Sequence, residues 1–402
     1  MILQQMKYRP PNIIRFLLFV SIPVSLLVVS CSKEENEENT KPPEFTADSL
    51  RMNEIQFIGS HNSYRLKTYA PLYEFIQTWS GVLPASLNPD ELDYTHLALE
   101  QQFSDYGIRK IELDIYYDPD GSRFANRHGL GFIGESVESG IAALDEPGFK
   151  VLHIPDLDYS TNYISLKEAL QTVQQWSEAN PDHLPIFIML EAKETNISAA
   201  IPGFSETLPY DVHAVNGLDD EIRDVFGTKL DGVITPDDVR GGHLTLNEAV
   251  LSDGWPLIAV SRGKVVFYIT TSSSANQAYI NGHPSLQGRA MFINAQPGTP
   301  EAAIVMRNNP TSDDIQNLVS QGYIIRTRTD AGTWEARNGD YSKMEAAMSS
   351  GAQILSTDYY RPDPRNDTSA AWSSYHVAFE NGDVARLNPV NGPAKFVGGE
   401  FE

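Results

Sequence analysis

An α/β fold, a (β/α)8 barrel of the TIM type, is what this 402-residue sequence predicts. Three observations carry the prediction. Eight short apolar, β-branched runs follow residue 50, and segments of helical apolar spacing lie between several of them. The runs are near-continuous, as strands buried on both faces of a parallel sheet are, where one-sided strands would alternate. The composition, 41% hydrophobic and 10% aromatic, supplies a core for one large domain. A doubly wound sheet would also accommodate eight strands, but no Gly-rich phosphate turn follows the first run.

In chain order, residues 1–30 read as a targeting segment. Lys7, Arg9 and Arg15 form a positive region, and FLLFVSIPVSLLVV at 16–29 is an apolar stretch of 14 residues containing Pro23, short for a membrane span. It ends in VVSC, and Cys31 is the single cysteine of the chain. The pattern resembles a bacterial lipobox, in which Cys31 would be lipidated; the plainer reading is an ordinary signal peptide. An anchored protein of the bacterial cell envelope, at the outer membrane, is the expectation, and with one Cys no internal disulfide forms. The stretch SKEENEENTKPPE at 32–44 is acidic and proline-containing, so 31–48 read as a disordered tether, with a single domain over 49–402.

The eight runs are EIQFIG (54–59), RKIELDIYY (109–117), FKVLHI (149–154), LPIFIMLE (184–191), GKVVFYIT (263–270), RAMFINA (289–295), GYIIRTRT (322–329) and AQILSTD (352–358). Residues 165–181 start at a Ser cap, carry apolar residues at helical spacing and stop at Pro; 311–322 and 341–351 stop at Gly. A barrel of eight strands needs about 250 residues. The surplus falls into long insertions after the second and fourth runs, 118–148 and 194–262.

In such a barrel, strand ends and the loops after them form the C-terminal mouth. The first run ends in His61 and Asn62. The second carries Glu112 and Asp114, which point to one face because strand residues i and i+2 do. The third ends at His153, and the fourth at Glu191 with Lys193 two residues on. Clustered carboxylates either protonate or bind a cation, and an oxygen-only set of three carboxylates and an Asn carbonyl suits Ca²⁺ or Mg²⁺. The histidines remain for proton transfer. The competing reading is structural: Arg109 and Lys110 would pair with Glu112 and Asp114, and each histidine would be a hydrogen-bonded loop residue.

The formal charge of -23 has no Lys/Arg stripe against it, which argues against a nucleic-acid partner. An acidic surface also repels anionic substrates unless a cation intervenes, which again points to a metal.

At these residues the sequence resembles the bacterial and fungal calcium-dependent phosphoinositide-specific phospholipases C, relatives of the catalytic X region of eukaryotic phospholipase C. The resemblance rests on GSHNSY (59–64), IELDIYYDPDG (111–121), PGFKVLHIPDLDY (147–159), SLKEAL (165–170), HLPIFIMLEAK (183–193), ITPDDVRG (234–241), GWP (254–256) and ILSTDYY (354–360). It implies catalytic histidines at His61 and His153, and Ca²⁺ ligands at Asn62, Glu112, Asp114 and Glu191. ANRHG offers His128 as a rival second histidine; His153 is preferred because it ends a run that leads into a helix and then the Glu191 strand. Lys193, Arg326 or Arg328, and Tyr359 are candidates for binding the phosphate or the inositol ring. The implied reaction converts an inositol phospholipid to diacylglycerol and a cyclic inositol phosphate, by a monomer. The rival expectations are a glycerophosphodiester phosphodiesterase and a non-catalytic, glycan-binding surface lipoprotein.

Overall fold

The structure, a computed structural model, describes residues 45–84, 87–252, 254–396 and 398–402. The targeting segment 1–30, Cys31 and the tether up to residue 44 lie outside the described residues. Residues 45–48, expected in the tether, pack on the domain instead. Phe45 meets the ring of Phe396, Ala47 is buried, and Asp48 pairs with Arg262 at 2.8 Å.

Ten strands occur among the described residues: β1 (Ile55–Ser60), β2 (Lys110–Asp118), β3 (Gly148–Val151), β4 (Ile186–Ala192), β5 (Val265–Thr270), β6 (Met291–Ile293), β7 (Ile304–Met306), β8 (Ile324–Arg328), β9 (Ile354–Thr357) and β10 (Ala385–Leu387). Eight of them, in the order β6-β5-β4-β2-β1-β9-β8-β7, pair in parallel. A parallel bridge between Asn294 and Ile304 links the two ends, so the barrel is nearly closed. The predicted (β/α)8 barrel is the observed fold.

Its membership differs from the expectation by one run lost and one strand gained. The run at 149–154 is no barrel strand. Its first part is β3, which returns antiparallel along the end of β2, from Ile115↔Val151 to Asp118↔Gly148. A parallel return needs a helical crossover, and only short 3-10 turns lie between 118 and 148. The strand that completes the eight is β7, three residues that an Ala-led apolar stretch gave little sign of. The insertions therefore follow the second and third barrel strands, β2 and β4, with no long one after the fourth, β5.

The helix signals at residue 165 and beyond hold in the structure. Ser165 Oγ accepts from the Glu168 amide at 3.2 Å and starts helix Leu166–Ala179, whose buried Leu166, Leu170 and Val173 face the core. Helices Ile315–Gln321 and Ser342–Ser350 end at Gly322 and Gly351, both at positive φ, where glycine has no Cβ to strain.

A tight seam lies between β1 and β2. β10 takes the Ile55–Phe57 edge of β1 antiparallel, leaving Gly59↔Lys110 as the paired position between β1 and β2. A Cβ on Gly59 would stand 2.6 Å from Lys110 Cδ and 2.7 Å from its Cβ. Lys110 is fully buried and has nowhere to yield. Gly59→Ala is expected to destabilise the fold by about 1–3 kcal/mol, as overpacking does. An unchanged urea midpoint would show that the seam relaxes freely.

Candidate functional site

Strand β2 sets the site. Its alternation puts Lys110, Glu112 and Asp114 on one face, and all three are buried. The register Asp114↔Glu191 then brings the β4 carboxylate alongside. Carboxylate oxygens of Glu112, Asp114 and Glu191 lie within 4.8 Å of one another. Asn62 lies at the exit of β1, in the left-handed region at φ 46°, which Asn tolerates better than most residues. Its Nδ2 donates to Tyr94 Oη at 3.1 Å, while its Oδ1 is buried without a partner.

Cations hold these charges together. Lys110 Nζ donates to Glu112 Oε2 at 2.5 Å and to the Ser60 carbonyl at 3.0 Å. Arg326 reaches the same Oε2 from β8 at 2.7 Å, across the two intervening strands β1 and β9. Burial alone would raise the Glu112 carboxyl; Lys110 and Arg326 outweigh it and hold the group well below the usual range. Burial also drives the Lys110 ammonium down to about 7 against the pull of Glu112, so the doubly bridged carboxylate is the securely charged member of the pair. Asp114 is less well served. Burial pushes it up to about 7, with Lys193 opposing and Glu191 and Glu112 adding to the rise. Lys193 Nζ stands 2.9 Å from Asp114 Oδ2 and 2.8 Å from Glu191 Oε1, yet neither Asp114 oxygen gains a well-angled hydrogen bond. Unsatisfied oxygens on Asn62 and Asp114, beside two further carboxylates, fit a hard cation such as Ca²⁺.

Two imidazoles flank this cluster, each fixed by an aspartate that an arginine holds in turn. His61 Nδ1 lies 2.8 Å from Asp358 Oδ1, and Arg328 Nη2 donates to Asp358 Oδ2 at 2.6 Å. His153 Nδ1 lies 2.7 Å from Asp158 Oδ2, to which Arg65 Nε donates at 2.7 Å. An aspartate at Nδ1 leaves Nε2 for other partners. His61 Nε2 stands 3.4 Å from Glu112 Oε1. Burial is the largest influence on both imidazoles and lowers both from the ordinary value. In both aspartates the arginine overcomes the effect of burial and keeps the carboxyl far below its usual range.

His61, Asn62, His153, Arg328 and Asp358 line one cleft of about 330 Å³. His153 also lines a neighbouring cleft of about 240 Å³, together with Glu191 and Lys193. The mouth of the barrel thus sets two imidazoles beside a group of carboxylate oxygens that could hold a metal ion.

Residues 50–389 match the family described as phosphoinositide phospholipase C, Ca²⁺-dependent. The chain belongs to that family.

It is therefore a calcium-dependent enzyme of the phosphoric diester hydrolase class, from a family that acts on inositol phospholipids. A solved calcium-dependent phosphoinositol-specific phospholipase C from Pseudomonas sp. is 16% identical, with 85% of this chain and 96% of that one covered at a TM-score of 0.49. A Ca²⁺-dependent phosphatidylinositol-specific phospholipase C from Streptomyces antibioticus is 17% identical over 77% of this chain and 95% of that one, at a TM-score of 0.45. Comparison with curated proteins found no match.

Three expected residues of this phospholipase lie differently from the sequence reading. Arg326 is buried at 2% exposure inside the barrel, bonded to Glu112 and Asn308, and lines neither cleft at the mouth. Tyr359 offers no free face. It is 3% exposed and packed among Tyr94, Trp372 and Tyr375. His153 sits beyond the antiparallel β3, not at the end of a barrel strand, while His128 opens a 3-10 turn and lines neither cleft.

Other residues went unassigned in the sequence. Asp358 ends the last barrel strand, so the rule that found His61 would have found it had the later strands been read for polar ends. Asp158 lies five residues beyond His153 in the same quoted stretch. Arg65 gave no signal. Nor did His96, whose Nε2 donates to the His61 carbonyl at 2.7 Å while its ring stacks on Tyr360.

Burial pushes His96 down to about 4, so it stays neutral in the fold and protonates first in the unfolded chain. Its stabilising contribution is present above pH 6.5 and is lost as pH falls toward about 4. That loss amounts to about 3 kcal/mol at full protonation. Urea unfolding between pH 7 and pH 4 is expected to lose stability less steeply in His96→Gln than in the parent protein. Identical slopes would mean that His96 titrates normally in the fold.

Proposed function

We propose that the enzyme cleaves phosphatidylinositol, or a closely related inositol phospholipid, to diacylglycerol and a cyclic inositol phosphate, with His61 and His153 as its catalytic histidines. The observation that carries this is the junction at the barrel mouth of two aspartate-held imidazoles with buried Asn62 and Asp114 oxygens that no hydrogen bond satisfies. Asn62, Glu112, Asp114 and Glu191 would hold Ca²⁺. When bound there, the ion supplies positive charge for the phosphoryl group and acidifies the attacking hydroxyl.

The chain's own groups divide the rest. The inositol 2-hydroxyl gives its proton to a site carboxylate and attacks phosphorus; the P–O bond to glycerol breaks, and His153 protonates the departing oxygen. Asp158 steadies the His153 imidazolium before that transfer, at 2.7 Å. His61 lies between Asp358 and Glu112, two carboxylates that oppose the lowering imposed by burial and Arg328, and when protonated it donates from Nε2 to a phosphoryl oxygen. Arg328, at the cleft wall, and Lys193 add positive charge for the phosphate. Hydrolysis of the cyclic product follows in reverse: His153 takes a proton from the water that attacks phosphorus, and the protonated carboxylate returns its proton to the 2-oxygen as that P–O bond breaks.

The setting we propose is the bacterial cell envelope, with a monomer lipid-anchored through Cys31. What supports it is the sequence alone: one cysteine, placed directly after an apolar stretch and small residues.

Alanine at His61 or His153 is expected to lower kcat by about 10²–10⁴-fold, with melting temperature nearly unchanged. Activity near the parent level in both variants would refute the pair. EDTA is expected to abolish turnover and Ca²⁺ to restore it. Phosphorus NMR of phosphatidylinositol digests should show the cyclic phosphate; direct formation of glycerol phosphate would instead mark a glycerophosphodiester phosphodiesterase.

A further inference from the structure

The three cations around the carboxylate cluster are not equivalent. Lys110 and Arg326 have side chains 0% and 2% exposed and are closed in by the barrel, so they are fixed partners of Glu112. Lys193 is 24% exposed and stands at the rim. Its ammonium bridges Asp114 Oδ2 at 2.9 Å and Glu191 Oε1 at 2.8 Å. Both carboxylates belong to the group with oxygens gathered within 4.8 Å, so a cation drawn to that group approaches the carboxylates that Lys193 contacts. Two positive charges cannot share one carboxylate pair at contact distance without strong repulsion. The lysine has somewhere to go. It borders the cleft of about 240 Å³ that Tyr116, His153 and Glu194 also line.

We propose that Lys193 is an internal competitor for the metal: its ammonium holds Asp114 and Glu191 together until Ca²⁺ takes their oxygens and releases the side chain into the cleft beside His153. This rests on the reading of these carboxylates as the Ca²⁺ site. Cation binding would then do two things at once, filling the oxygen cluster and delivering a positive charge to the place where a phosphodiester meets His153. The exchange keeps the site close to charge balance in both states, with an internal cation traded for an external one. Coupling of this kind is reciprocal, so an anion drawn to the released ammonium tightens Ca²⁺ binding.

Isothermal titration of the full chain with CaCl2 tests the competition. Lys193→Met is expected to bind Ca²⁺ about tenfold tighter or better than the parent protein, because the competing charge is gone. Lys193→Gln, with a neutral polar head, should do the same and covers the case in which the Met variant fails to fold. Lys167→Met removes one charge from a surface pair with Asp224 and should leave the affinity unchanged. In the parent protein, acetylation of Lys193 by acetic anhydride, read by peptide mass, should accelerate severalfold on adding Ca²⁺. Equal affinities in parent and both Lys193 variants, or a labelling rate that does not rise, would overturn the competition and leave the Ca²⁺ site standing. An absence of Ca²⁺ binding in parent and variants alike would overturn the site itself.

Discussion

Two cations meet on one oxygen of Glu112, Lys110 from its own strand and Arg326 from across the barrel, and the arrangement of the mouth depends on that contact. A carboxylate buried beside two others would otherwise protonate, and a neutral Glu112 would neither hold an ion nor support His61. With Oε2 satisfied, Oε1 is left facing His61 Nε2 at 3.4 Å. The contact also explains the seam below it. Lys110 can lie flat across β1 because residue 59 has no side chain, and it then bonds the Ser60 carbonyl one residue before His61. One glycine, one lysine and one glutamate thus connect the backbone of the first strand to the electrostatics of the second.

What the sequence made legible follows from what strands repeat. Period-two alternation in IELDI places Glu112 and Asp114 together in any strand, so the cluster was readable without a structure. The barrel was readable for a similar reason, since buried parallel strands leave continuous apolar runs. The count of eight came out right through two offsetting errors. β7 is three residues long, and a strand that short gives no run to detect. FKVL is as apolar as any barrel strand, and its antiparallel direction follows from the lack of a crossover helix before it, a tertiary fact.

The competing structural reading of Lys110 was partly right, and the way it was right is instructive. Lys110 does pair with Glu112, whereas Arg109, one residue away, points to the opposite side and pairs with Glu402. A paired carboxylate had been set against a functional one as if the two excluded each other. Glu112 has two oxygens, and the lysine takes one. By contrast Arg326 and Tyr359 were chosen for residue type and place in the chain, and burial decided against both. A guanidinium inside a barrel goes to the nearest carboxylate, and a tyrosine between Trp372 and Tyr94 goes to packing.

The two histidine–aspartate pairs use one device in settings that differ. Arg65, behind Asp158, is fully buried, stacks on Tyr94 at 4.4 Å and donates to the Tyr94 and Leu92 carbonyls at 2.7 and 2.6 Å. It is spent on structure, and the loop it ties down carries the hydroxyl that receives the Asn62 amide. Arg328, behind Asp358, lies in the wall of the cleft with 12% of its side chain exposed. An anion entering the cleft meets Arg328 directly, and any pull it exerts on that guanidinium acts on Asp358 and through it on His61. His153 receives no such signal through its aspartate, because Arg65 is sealed away. The geometry therefore couples His61 to an anion through Arg328 and Asp358, while the Arg65–Asp158 pair behind His153 stays fixed. That asymmetry is in keeping with the proposed division, in which His61 holds the phosphoryl oxygen and His153 delivers a proton, without any difference in the aspartate beside each.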